Sequence, residues 1–499
     1  MSGHTKLDPQ SWSREKVRHL LFRAGFGGRQ NEIEALFDKG LSGSIEHLLS
    51  GPTRALPAPK WLAEDQQLDP REIRRMGEEE KKMLQRRNRQ HTNELQAGWV
   101  QFMMGAPTPA DMLHQKVAFF WHGHFATSEQ KVKATPFLYN QLKLLHEHAL
   151  GNFGDLLRAI IRDPAMLRYL DNEQNQKGQP NENLSRELME LFSLGTGNYT
   201  EQDIREGARA LTGYSIEPYQ FRFRRFQHDG GGKTILGRTG NFNGEDFVNL
   251  ILEQPACAGF IARKLWSYFA SENPPAALIK TLAGKFREAQ YDIKTILREI
   301  FSHPEFYAAA VMGAQIKSPL QLVVGAARTL ELRVNSFEFY GRMLLMMGQV
   351  PYLPPNVKGW PGGRAWIDTS RLLTRYTFAE IIAAGKVPEE MDPRMQGDMD
   401  LRKADMTEEE RKLKFQARKM LPPRNLKIDF DAEKFAGNKS SAPEMIEAIT
   451  AILLAVAPAK GERQNLILNL EKALKEKSRE AALQRAVGDV MWLPAYQLC

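Results

Sequence analysis

The sequence predicts a mainly α protein: a single large multi-helical domain with a small β-hairpin insertion near residues 217–240. Three observations carry this. Apolar residues recur three and four positions apart along most of the 499 residues, the period of an amphipathic helix. Several of these runs open on helix-start signals, and only one region alternates with the two-residue period of a strand. A hydrophobic fraction of 42% with 26% charged residues excludes a collagen-like, wholly disordered or membrane-embedded chain. The expected layout is a helical core over 13–390, a charged, Pro/Gly-containing connecting segment over 391–445, and C-terminal helices over 446–499 that pack back on the core.

The first helix starts near Ser13, carries Val17, Leu20 and Leu21 on one face, and stops at Gly25-Phe26-Gly27-Gly28. A second short helix covers 30–39, and a third includes Ile45, Leu48 and Leu49. Residues 71–90 hold eight basic and four acidic residues. They read as a solvated helix face with a thin apolar contact through Ile73, Met76, Met83 and Leu84. Thr108 caps the next helix, Pro109 loses nothing at its first position, and Asp111 is placed to close a capping box. Its apolar face runs through Leu113, Val117, Phe120 and Trp121. Segments 138–145 and 153–170 continue as helix.

Thr200 with Asp203, and Asn243 with Asp246, form two further capping boxes, with Tyr199 and Ile204 as a hydrophobic staple at the first. Tyr219, Phe221 and Phe223 alternate with polar residues and predict a strand, followed by a hairpin within the glycine-rich 227–244 stretch. The remainder, up to a last long helix over 462–487, reads as helix broken by Pro-rich joints. Residues 348–364, full of Pro, Gly and Trp, are the ordered-looking exception.

Charge and cysteine content narrow the function classes. Sixty-eight Lys and Arg against sixty Asp and Glu leave +8, too small a bias to imply a nucleic-acid partner. Cys257 and Cys499 are the only cysteines, which excludes a disulfide framework and an all-cysteine zinc site. The first twenty residues contain no apolar h-region, so a cytoplasmic placement is expected. No run of eighteen apolar residues exists to span a bilayer.

Chemistry concentrates in four segments. His122 and His124 end the helix begun at Pro109. Positions two apart differ by about 200° around a helix, so the two rings converge only if Gly123 breaks it. In 181–192, Asn183, Glu187 and Glu190 share a strip beside the buried Leu184, Leu188 and Leu191. Two carboxylates one turn apart can hold a divalent cation, shift one another's acidity for proton transfer, or pair with Arg186, Arg205 or Arg209. His228-Asp229 precedes Gly230-Gly231-Gly232-Lys233, whose backbone amides and ammonium can meet an anion. It lacks the first glycine of a nucleotide loop, because Gln227 stands there. Finally, Trp360 and Trp366 sit in the rigid 354–366 stretch, where they can stack on a sugar or plug a seam between helices.

Seven pieces resemble the large bacterial family catalogued as domain of unknown function 1800. They are HLLFRAGFG (19–27), KVAFFWHGHFAT (116–127), NENLSRELMELFSLG (181–195), YTEQDIREGARALTGY (199–214), HDGGGKTILG (228–237), FIARKLWSYF (260–269) and GQVPYLPPNVKGWPGG (348–363). The resemblance implies one predominantly helical unit along most of the chain. It also implies relatives that are often exported and often occur beside a second family of sulfatase-like, secreted proteins. This chain departs in two respects: Met1 leads almost directly into the shared core, and Gly123 stands where relatives commonly carry Asn.

Two functional readings follow. One is a metal- or carboxylate/His-dependent hydrolase whose pocket gathers His122, His124, Glu187, Glu190, His228 and Asp229. In it Arg186 and Lys233 hold negative charge, and Glu187, Glu190 and His124 are the candidate ligands of a divalent metal. The other is a non-catalytic binding or assembly protein that recognises a glycan or protein partner through Trp360, Trp366 and the surrounding segment.

Overall fold

The computed structural model describes residues 6–65, 75–387 and 425–499, and these form a mainly helical molecule around one large apolar core. Three helices open it: Arg14–Ala24, Gln30–Asp38 and Gly40–Ser50. Ser13 caps the first by accepting from Lys16 N, and Gly25 ends it as the sequence predicts. The helix Glu78–Met104 is solvated over its charged first half. Met83 is 68% exposed, so the apolar contact expected there begins instead at Thr92, Leu95 and Trp99. Residues 71–74 of that prediction lie outside the described residues.

The helix Pro109–His124 is the centre of the fold. Every residue in it except Gly123 is buried, where the sequence predicts one apolar face. Helices pack on it from several sides, including Arg14–Ala24, Gly40–Ser50 and Thr135–Glu147. Most of its polar side chains find partners inside the protein, as burial requires. The Lys116 ammonium donates to the carbonyls of Phe22 and Gly25. Thr108 caps the helix, but Asp111 does not close the box. Its carboxylate is taken by the Arg54 backbone N–H (3.0 Å) and Nε (2.7 Å).

The two other predicted capping boxes form at Thr200/Asp203 and Asn243/Asp246. Among the described residues the strands form two-stranded sheets. Phe221–Phe223 pairs with Tyr214–Ile216 upstream of it, Ser215 opposite Arg222, while the downstream hairpin joins Lys233–Ile235 to Arg238–Gly240. Leu236 (φ 48°) and Gly237 (φ 77°) make its two-residue turn, whose left-handed positions match the strand twist. Arg333–Val334 pairs with Ile428–Asp429.

Residues 391–424 of the predicted connecting segment lie outside the described residues; 425–445 hold that last strand and a short helix, Glu433–Ala436. The last long helix expected over 462–487 is two helices, Lys460–Glu476 and Arg479–Met491. Ser478 breaks it by accepting from Ala481 N to cap the second. Residues from Leu20 to Tyr496 share one continuous apolar cluster. Among the described residues no helix is long and apolar enough to cross a membrane.

Candidate functional site

The two histidines of WHGHF point away from each other, because the helix continues through Gly123. His122 is fully buried among Trp99, Phe119, Tyr352 and Trp360. Its Nε2 accepts the Tyr352 backbone N–H at 2.9 Å, and burial lowers its pKa to about 3. It is a neutral structural acceptor that pins the 348–363 segment to the helix. That segment crosses so closely that a Cβ on Gly359 (φ 77°) would lie 2.2 Å from the Gly123 carbonyl oxygen. Trp360 lies over Gly123 and stacks on Phe119, and Trp366 is 5% exposed.

His124 faces the opposite way, toward the C-terminus of the helix Asn183–Glu190 and toward the helix Pro255–Phe269. A helix end leaves carbonyls without intrahelical donors. Here His124 Nε2 donates to Phe192 O (3.0 Å) and Lys264 Nζ donates to Leu191 O (3.3 Å). Lys264 Nζ also donates to His124 Nδ1 at 3.2 Å. Both ring nitrogens are thus engaged, and burial beside Lys264 holds the imidazole well below its ordinary pKa. Burial likewise pulls the Lys264 amine down to about 8.

These three segments and the 348–363 segment line an open pocket of about 660 Å³. Glu190, Lys264, Arg263 and Lys358 bring charge to its lining, with Phe260 and Val357 among its apolar residues. A Cβ on Gly195 (φ 79°) would lie 3.0 Å from the Phe260 ring, so glycine suits both the left-handed backbone and the close approach there. The Tyr199 hydroxyl donates to Glu190 Oε2 at 2.9 Å, and burial with that carboxylate raises the phenol to about 12. Glu187, one turn back on the same helix, is half-buried. Burial and the charge of Glu190 raise its carboxyl above the usual range, against the lowering pull of Lys358 and Arg186.

The other candidates are engaged elsewhere. Arg186 forms a bidentate pair with Glu201 (2.9 and 2.8 Å) and reaches Glu182 at 3.2 Å. Asp229 is held by Arg209, which depresses its carboxyl to about 2, and His228 Nδ1 meets Thr212 O at 3.0 Å. Lys233 is 1% exposed and donates to the carbonyls of Asp229 and Gly231, so its ammonium braces the glycine loop from within. Among the described residues no three His, Cys, Asp or Glu side chains could hold a metal ion. The ligand set of Glu187, Glu190 and His124 is therefore not assembled; an ammonium stands at His124 Nδ1, where a cation would have to bind. Cys257 is buried, and burial pushes its thiol up to about 12, which leaves it inert.

The pocket is built from four of the segments quoted above: WHGHF, the carboxylate helix, the helix carrying Lys264 and the Pro-Gly stretch. The family model described as Protein of unknown function (DUF1800) matches residues 19–498. The chain belongs to this family. No curated protein and no solved structure matches it. In this DUF1800 protein Lys264 is the site residue that sequence reasoning misses. Arg263 and Lys264 are adjacent cations on one helix, and only the packing separates an exposed one from one facing His124.

Proposed function

We propose that the pocket between the carboxylate helix and the Lys264 helix is a hydrolytic site for a small, negatively charged substrate. One observation carries the reading. One carboxylate, Glu190, held by the Tyr199 hydroxyl, stands with three cations, Arg263, Lys264 and Lys358, around a single open pocket. A carboxylate within hydrogen-bond reach of a bound water, beside cations that hold an anion, is the basis of general-base hydrolysis. Glu190, oriented by the Tyr199 hydroxyl, takes the proton of the attacking water. The leaving group departs as its anion; Glu187, one turn back on the same helix, does not line the pocket and transfers no proton to it. Arg263, Lys264 and Lys358 hold the anionic group and the charge that develops in the transition state. His124 positions Lys264 rather than transferring a proton, since both its nitrogens are taken.

The alternative, recognition of a glycan or protein through 348–366, has less support because Trp360 and Trp366 pack inward. p-Nitrophenyl phosphate and mono-p-nitrophenyl succinate serve as chromogenic probes. Release of nitrophenol is expected from the wild type, falling about 10²–10⁴-fold in Glu190→Gln. It should fall also in Lys264→Met and persist in Asp229→Asn. No release above buffer from the wild type, or undiminished release from Glu190→Gln, refutes the reading.

A further inference from the structure

The strand Phe221–Phe223 and the turn after it carry a feature that the pocket does not use. Phe226 is 100% exposed and Phe223 is 40% exposed. Arg222, Arg224 and Arg225 are exposed beside them and form no ion pair with any described residue. Glu217 is the only acidic residue between Tyr214 and His228, and exposed Lys177 adds a further cation nearby. Lone exposed apolar residues are ordinary, but a wholly exposed ring flanked by three unpaired arginines joins two recognition chemistries in five residues.

The tip is also built to hold its shape. Arg224 N–H donates to Gly213 O (2.8 Å), Lys177 N–H to Gln227 O (2.8 Å), and His228 N–H to Arg225 O (3.2 Å). A Cβ on Gly213 (φ 80°) would lie 2.6 Å from Arg224 O, so glycine is required for the tip to sit where it does. Phe226 is thus held outward by a fixed backbone, and little conformational freedom is left to lose on docking.

We propose that this tip docks the protein onto an anionic phospholipid surface, Phe226 entering the interfacial layer and Arg222, Arg224 and Arg225 meeting lipid phosphates. Charge complementarity and shape select this occupant. Single-stranded nucleic acid is held by successive rings along a basic groove. Here the second ring, Phe223, turns back onto Tyr214 (5.6 Å) and His228 (5.2 Å), leaving one ring projecting. A bilayer interface accepts one projecting aromatic within a basic collar. The attachment is weak, reversible and salt-sensitive, as expected for one ring and a few charges.

Co-sedimentation of the full chain with phosphatidylcholine vesicles, with and without equimolar phosphatidylglycerol, tests this. The wild type is expected to pellet only with the anionic vesicles at about 0.05 M salt and to be released at about 0.5 M. Phe226→Ser should weaken binding about tenfold. Each arginine changed to Ser should weaken it about fivefold. Phe226→Trp should retain it, and an unchanged melting temperature confirms that the variants fold. Failure to pellet with anionic vesicles, equal pelleting with neutral ones, or wild-type binding by Phe226→Ser overturns the proposal. Capture of oligothymidylate in place of vesicles, lost in Phe226→Ser, assigns the tip to nucleic acid and overturns it equally. Because the tip lies apart from the pocket, either outcome leaves the hydrolytic reading to its own test.

Discussion

His122 illustrates how a residue that invites a catalytic reading becomes a structural one. Its Nε2 accepts a backbone N–H, so the ring proton resides on Nδ1, which has no hydrogen-bond partner. Replacing it with Leu orphans the Tyr352 N–H and is expected to cost about 1–3 kcal/mol at pH 7. The pH dependence provides a second signature. The folded ring titrates near 3 and the unfolded one near 6.5, so the unfolded state binds more protons between these values. Stability therefore falls as the solution is acidified below pH 6.5. The gap between wild type and His122→Leu, read by denaturant unfolding, should narrow by about 2 kcal/mol between pH 7 and pH 5. A constant gap would show that the ring is not buried neutral. The spacing argument anticipated that His122 and His124 diverge on an unbroken helix. It did not reveal which of them faces the end of the carboxylate helix, since that depends on a segment about 70 residues away.

At the scale of elements, what the sequence makes legible follows how local the cause is. The boxes at Thr200 and Asn243 are closed by their own side chains, and both are readable. Asp111 has the same pattern but is claimed by Arg54, far away in the chain, a competition that no local signal reports. The short strand was visible through its aromatics, while its partner at Tyr214–Ile216 was not, because that segment is buried throughout and does not alternate. The crossing of the 348–363 segment over WHGHF gives a paired prediction. Gly359→Ala must move a carbonyl in a left-handed conformation and should lower stability by about 1–3 kcal/mol. At Gly123 a Cβ meets only Trp360, at 3.8 Å, within a helix. Gly123→Ala should be neutral or stabilising by up to about 1 kcal/mol. Thermal melts of the two variants compare them directly, and equal losses would refute the close crossing.

Across the whole molecule, the mainly α architecture was legible because helical periodicity repeats along the chain, whereas the ties between distant parts were not. Arg328 forms a bidentate pair with Glu32, and the two are 1% and 8% exposed. Removing Arg328 strips the buried carboxylate of its nearest cation, leaving it the Arg29 backbone N–H (2.8 Å) and the more distant Arg29 guanidinium (3.9 Å), so Arg328→Ala is expected to cost about 3 kcal/mol. The double variant Glu32→Leu with Arg328→Met should recover most of that loss in chemical denaturation. If it does not, the pair contributes more than mutual neutralisation.

Non-local polar bonds also govern the pocket. One wall hands its terminal carbonyls to His124 and Lys264, so the gap between walls is gauged by a hydrogen-bonded strut instead of a pliable loop. The calibre of the opening is then encoded largely in the reach of one lysine. A shorter cation at that position would narrow the mouth or unlatch the helix end, which gives evolution a single-residue dial for the size of what enters.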